Sequence, residues 1–148
     1  MKSKFLIFIV CFVTSFQSCM DDESEITFHK SHEPSRANVP FSDAVETDNL
    51  LFLTGQIGKN HTTGTLVPGG IKSETTQVIK NIEAVLKHHN QSLDNVVKCT
   101  VILKDIEDFS DFNSVYIQYF KNKPARTTFA ASGLAGNARI EIDVIASK

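Results

Sequence analysis

Two charged residues stand inside strand-like runs near the end of the chain: Arg126 in Lys123-Pro-Ala-Arg-Thr-Thr-Phe-Ala-Ala-Ser132, and Glu141 in Arg139-Ile-Glu-Ile-Asp-Val-Ile-Ala146. A proline followed by Thr, Phe and small residues opens a strand, and a guanidinium placed there ordinarily sits at a sheet edge in water. In the last run Ile140, Ile142, Val144 and Ala146 alternate with Glu141 and Asp143, which puts Glu141 on the face opposite the main apolar set. If the two runs form a hairpin centred on Gly133-Leu134, antiparallel pairing sets position 126 across from position 141. Arg126 and Glu141 then have two readings. One is a cross-strand salt bridge on a solvated face, which contributes about 0–1 kcal/mol. The other turns both groups toward a ligand, and residue pattern alone does not select it.

Other reactive residue types give less. In residues 96–103 alternation places Val97, Cys99, Val101 and Leu103 on one face, so Cys99 reads as a small buried hydrophobe. His88 and His89 are adjacent, unlike the four-residue spacing of helical zinc ligands, and their place near a helix C-terminus suits a favourable dipole contact. No Cys/His spacing of a metal site and no disulfide framework is present, so no metal is expected.

The elements that must position Arg126 and Glu141 follow from hydrophobic period. Residues 41–47 and 50–57 are apolar stretches split by Asp48-Asn49, the pattern of a hairpin. Residues 60–70 are rich in Thr, Gly and Pro and read as loop. Ile71, Thr75, Val78, Ile79, Ile82, Val85 and Leu86 recur at helical spacing, and so do Phe109, Phe112, Val115, Tyr116, Tyr119 and Phe120, with Asp108 or Ser110 available as a cap. Between these helices lies the strand 96–103, and strands 125–131 and 139–146 finish the chain. This order predicts an α+β fold: a single mixed sheet with both helices on one face, the other face awaiting a partner subunit.

The first residues differ in kind. Met1-Lys-Ser-Lys4 is basic, residues 5–14 are almost wholly apolar, and Ser15-Phe-Gln-Ser-Cys19 precedes an acidic run, Asp21-Asp-Glu23. That is the layout of a secretory signal peptide over residues 1–19, with an apolar stretch short of the roughly 20 residues a spanning helix needs. Ser18-Cys19 resembles the lipobox of bacterial lipoproteins, with Phe16 and Gln17 departing from its usual residues; it implies lipid on Cys19 and an exported chain anchored in the periplasm or at the outer membrane or cell surface, the alternative being ordinary signal-peptidase cleavage with an incidental cysteine. Residues 20–38 then read as a polar tether and 39–148 as the domain.

At 148 residues and 41% hydrophobic, the chain can bury a core as one domain. Its 15 Lys and Arg are dispersed among 17 Asp and Glu, so no basic face offers the phosphate contacts of nucleic-acid binding.

Val39-Pro-Phe-Ser-Asp-Ala-Val45, Leu51-Phe-Leu-Thr-Gly-Gln-Ile57, Thr76-Gln-Val-Ile-Lys-Asn-Ile82, the Asp108-Phe to Phe112-Asn-Ser-Val-Tyr116 segment, Pro124-Ala-Arg-Thr127 and Ile140-Glu-Ile-Asp-Val-Ile-Ala146 together resemble the Rid/YjgF family of reactive enamine/imine deaminases. The resemblance runs from about Val39 to the C-terminus. It implies a chorismate-mutase-like fold, a homotrimer with sites between subunits, and cofactor-free hydrolysis of small imines such as 2-aminoacrylate or 2-iminopropionate to 2-oxo acids and ammonia. It also implies that Arg126 holds the substrate carboxylate and that Glu141 handles protons as water adds to the imine carbon. Phe41, Thr54, Gly55, Asn113 and Thr128 fall at pocket positions. Phe41, Thr128, Asp43 and Ala135 stand where many members have Tyr, Cys, Gln and Pro, which bears on pocket polarity and substrate preference. The competing expectation is a non-catalytic trimer in which Arg126 only captures carboxylates.

Overall fold

The computed structural model describes residues 25–148. The signal peptide, Cys19 and residues 20–24 of the expected tether lie outside the described residues.

The elements run β1 (Thr27–His29), β2 (Ala44–Thr47), β3 (Leu50–Ile57), the short pair β4 (Lys59–Asn60) and β5 (Thr65–Leu66), α1 (Gly70–His88), β6 (Val96–Leu103), α2 (Phe109–Tyr119), β7 (Ala125–Ala130) and β8 (Ile140–Ser147). Six strands form one mixed sheet in the order β1-β2-β3-β8-β6-β7. The predicted α+β class holds, and the two helices pack on one face.

The helical stripe of α1 is buried as its spacing predicts: Ile71, Thr75, Val78, Ile79, Ile82, Val85 and Leu86 all face the sheet. They meet Leu51 and Leu53 of β3, Cys99, Val101 and Leu103 of β6, and Ile140, Ile142, Val144 and Ala146 of β8, with Phe112, Tyr116 and Phe120 joining from the second helix region. Buried polar groups lock α1 to the sheet end. Asn81 donates to the carbonyls of Ile57 and Lys59 at 3.1 and 2.9 Å, and the backbone N–H of Arg139 donates to Glu74 at 2.8 Å. Gly58 packs on Glu74 so closely that a Cβ there would stand 2.6 Å from Glu74 Cβ, which leaves no room for another residue.

Four expectations change. Thr27–His29 was expected to be tether, but it pairs in register with Glu46, Val45 and Ala44 and adds a strand to the sheet edge. The cap expected at Asp108 or Ser110 does not form; Asp105 instead accepts from Glu107 N one turn earlier, at 3.0 Å, and caps the short 3-10 turn that leads into α2. The ladder slips between Val96 and Lys98, so Val97 turns outward and Val96 takes the buried place.

The fourth change concerns the last two strands, which do not form a hairpin. β7 lies parallel to β6, with Cys99 opposite Arg126, while β8 is antiparallel to β6 on its other side, with Val144 opposite Cys99. The cause is the α2 crossover: a strand that follows a helix returns parallel to the strand before it. Pro124, which cannot donate to a ladder, directly precedes β7 and suits it to the edge. β8, apolar at every second residue, takes the centre between β3 and β6.

Candidate active site

Residues opposite one another across a ladder share a face of the sheet. Arg126, Cys99 and Val144 are therefore on the helix-covered face, whereas Glu141 shares the open face with Ile102 and Ile57. The cross-strand salt bridge between Arg126 and Glu141 does not exist. The two side chains belong to different clefts.

Arg126 lies under α2. Its Nη1 donates to Asn113 Oδ1 at 2.9 Å, and its guanidinium carbon stands 4.6, 5.2 and 5.7 Å from the ring centroids of Tyr116, Phe112 and Phe109. Helical spacing makes this cradle, since residues 109, 112, 113 and 116 fall on one side of α2. The ring faces beside the guanidinium favour its charge. Among the described residues no carboxylate forms an ion pair with it. The adjoining cleft, about 440 Å³, is lined by Asn113, Tyr116, Ile117, Phe120, Pro124 and the cations Lys121, Lys123 and Arg126, with no acidic residue. Beneath it Tyr116 donates to Cys99 Sγ at 3.2 Å. Burial raises the Tyr116 hydroxyl above its ordinary range and pushes the Cys99 thiol up to about 11, so neither is a ready nucleophile near neutrality.

Glu141 belongs to a cleft of about 500 Å³ on the other side, where Phe41, Thr54 and Gly55 also lie. The carboxylate presses against the Gly55 backbone: a Cβ at position 55 would overlap Glu141 Oε1. A ladder irregularity between Leu53 and Gln56 shapes this wall. Burial, and then the like charge of Asp143, raise the Glu141 carboxyl above its ordinary value.

Thus Phe41, Thr54, Gly55 and Glu141 are brought together, as are Asn113 and Arg126, but the two sets are apart in one chain. Thr128 lines neither cleft, and its Oγ1 is buried without a hydrogen-bond partner.

Sequence reading missed Arg36 altogether. It lies in the segment taken as tether, yet its Nη2 is 2.9 Å from Asp43 Oδ1 and its Nη1 donates to Gln56 Oε1 at 2.6 Å. Asp43 is only 2% exposed at its side chain, so the ion pair closes one wall of the Glu141 cleft, where Arg36 also stands over the Phe41 ring at 5.8 Å. The available signal was Asp43 itself, a carboxylate in an apolar stretch that must find a cation if it is buried.

The molecule is thus a small α+β domain with an acid-free cationic cleft on one face and a cleft holding a carboxylate on the other. Residues 30–148 match the family described as Endoribonuclease L-PSP. The chain is 46% identical over 110 residues to a RutC family protein of Pyrococcus horikoshii, covering 74% of this chain and 87% of that one. It is 44% identical over 108 residues to the human 2-iminobutanoate/2-iminopropanoate deaminase, covering 72% of this chain and 79% of the other. The fold matches a Yersinia pestis protein of the Rid family, YyfA, with a TM-score of 0.78 and 36% identity, over 84% of this chain and all of that one, 100%. The chain belongs to the Rid/YjgF family, which includes imine deaminases.

Proposed function

We propose that this protein is a cofactor-free hydrolytic deaminase of small 2-imino and enamine acids, with each active site assembled from two chains. One observation carries the reading: Arg126 is oriented by Asn113 and three aromatic rings, yet has no carboxylate partner among the described residues. A guanidinium held this way is suited to a substrate carboxylate, gripped through two parallel hydrogen bonds. Glu141, held back by burial from giving up its proton, takes a proton from water as the oxygen adds to the imine carbon and returns it as ammonia leaves.

Because the Arg126 and Glu141 clefts are different patches of the same chain, one chain's Arg126 meets another's Glu141 through a head-to-tail contact, which closes as a ring. A homotrimer is the ring proposed, and the open sheet face is its lining: Phe52 is 38% exposed and Phe129 46%. Residues 1–19 support a further proposal, that the enzyme acts after export, anchored through lipid on Cys19.

The test is ammonia release from freshly generated 2-iminopropionate. Arg126→Ala and Glu141→Gln should each be strongly impaired alone, by about tenfold or more in kcat/KM. Unfolded and refolded together, they should regain activity toward about one intact site in four, the share expected from random assortment in a ring. Wild type that binds a 2-oxo acid without releasing ammonia would mean the non-catalytic carboxylate binder. Two impaired variants that stay impaired when mixed would mean that the site is not shared between chains.

A further inference from the structure

Away from the Arg126 and Glu141 clefts, four of the chain's five histidines gather at one corner of the fold. His29 is the last residue of β1, His32 follows it in the loop, and His88 and His89 end α1. The His29 and His89 rings meet edge to face with centroids 4.5 Å apart, His32 stacks on His88 at 4.8 Å, and His88 and His89 are 5.3 Å apart. Sequence spacing concealed the group, because adjacent histidines at a helix end are a poor metal pair by themselves. The strand that brings His29 to them lies in a stretch whose composition is that of a tether.

Glu46 of β2 completes the arrangement. Its Oε2 is 3.0 Å from His29 Nε2, and one ligating atom from each of His29, Glu46 and His89 lies within 4.8 Å of the others. Metal–nitrogen and metal–oxygen bonds of roughly 2.0–2.2 Å place two ligand atoms on one tetrahedral ion about 3.3 Å apart. The His29–Glu46 pair already has that separation, and the third arm needs to close by at most about 1.5 Å. All three residues are half-buried, accessible to an ion yet partly screened from water. Lys148 Nζ, 2.7 Å from the other Glu46 oxygen, fixes the carboxylate from behind.

We propose that His29, Glu46 and His89 form a binding site for a borderline divalent cation of the zinc type, which staples the sheet-edge strand β1 to the end of α1. Two imidazoles and one carboxylate suit zinc and its first-row neighbours, whereas magnesium and calcium require sets of oxygen ligands. The remaining coordination position is open to water, with His32 and His88 alongside. β1 is joined to the sheet by three register pairs on one side only, so a bridge to α1 restrains the edge most easily lost. The site is separate from the proposed deaminase chemistry, which uses none of these residues.

The experiment is calorimetric titration of zinc into the full chain, purified after export without an affinity tag and stripped with chelator. Wild type should bind one zinc per chain saturably, and magnesium should give no binding heat. His29→Ala and His89→Ala should each weaken zinc by at least the roughly 10- to 100-fold that loss of an outer metal partner alone produces. His61→Ala should leave zinc affinity unchanged. Hydrogen exchange supplies a second readout: amides of Thr27–His29 should gain protection with zinc in wild type only. If an alanine variant does not fold, His89→Gln takes its place. No saturable zinc binding, equal affinity in wild type and both histidine variants, or unchanged exchange of β1 would overturn the site and leave a hydrogen-bonded His29–Glu46 pair beside a helix end.

Discussion

At the scale of single residues, Arg126 and Glu141 make separable predictions. Arg126→Ala should lose about 1.5–3 kcal/mol of charge-assisted carboxylate binding, roughly ten- to 150-fold in kcat/KM. Arg126→Lys keeps the charge, but a point donor can neither fork to a carboxylate nor spread a planar cation over the Tyr116 and Phe112 rings, so it should stay clearly impaired while the melting temperature changes little. Full activity in Arg126→Lys would reduce the residue to a local charge. Glu141 sets a pH limb. Its carboxyl is raised from the ordinary value of 4.5, so as pH falls it takes up its proton earlier than a solvent-exposed glutamate would. A base is lost on protonation. The acid limb of kcat/KM should therefore lie above pH 4.5 and disappear in Glu141→Gln along with most of the turnover; a limb below that value would contradict the role.

At the scale of elements, the segment ahead of β2 is part of the domain. The Arg36–Asp43 pair, with its Gln56 hydrogen bond, fastens the turn before β2 to β3 and closes one wall of the Glu141 cleft. Removing the cation strands a buried carboxylate, so Arg36→Met should cost about 3–5 kcal/mol in unfolding free energy, and adding Asp43→Asn should recover much of that loss. Denaturant melts of the single and double variants measure the difference. If Arg36→Met loses less than about 1 kcal/mol, the pair is a surface contact of the ordinary kind.

At the scale of the molecule, the sheet has one face packed under helices and one face bearing Phe52, Ile145, Ile102 and Phe129 beside Glu141 and Asp143. Light scattering of the chain from Asp21 onward should give the mass of a trimer, and a stable monomer at micromolar concentration would remove both the ring and the shared site. Among the described residues no helix is long and apolar enough to cross a membrane, so attachment rests on the N-terminal proposal. Expressed with residues 1–19 in a bacterium, the protein should partition into detergent with lipid on Cys19 and lose that lipid in Cys19→Ser; recovery of wild type as a soluble, unmodified protein would indicate ordinary secretion.

The sequence by itself determined whatever rests on local period and on composition. The stripe of α1, the strands β3 and β6, the α+β class and the family motifs are all legible because each depends on residues a few positions apart. Only the tertiary structure decided which strands are neighbours. The hairpin expected between β7 and β8 would have made Arg126 and Glu141 partners; the α2 crossover puts β6 between those strands, and the alternation of the pleat then sends the two side chains to opposite faces. The same holds for Arg36 with Gln56 and for His29 with His89. Each pairs a segment that looks like tether with a distant element, and no periodicity within either segment records a contact that exists only in the folded chain.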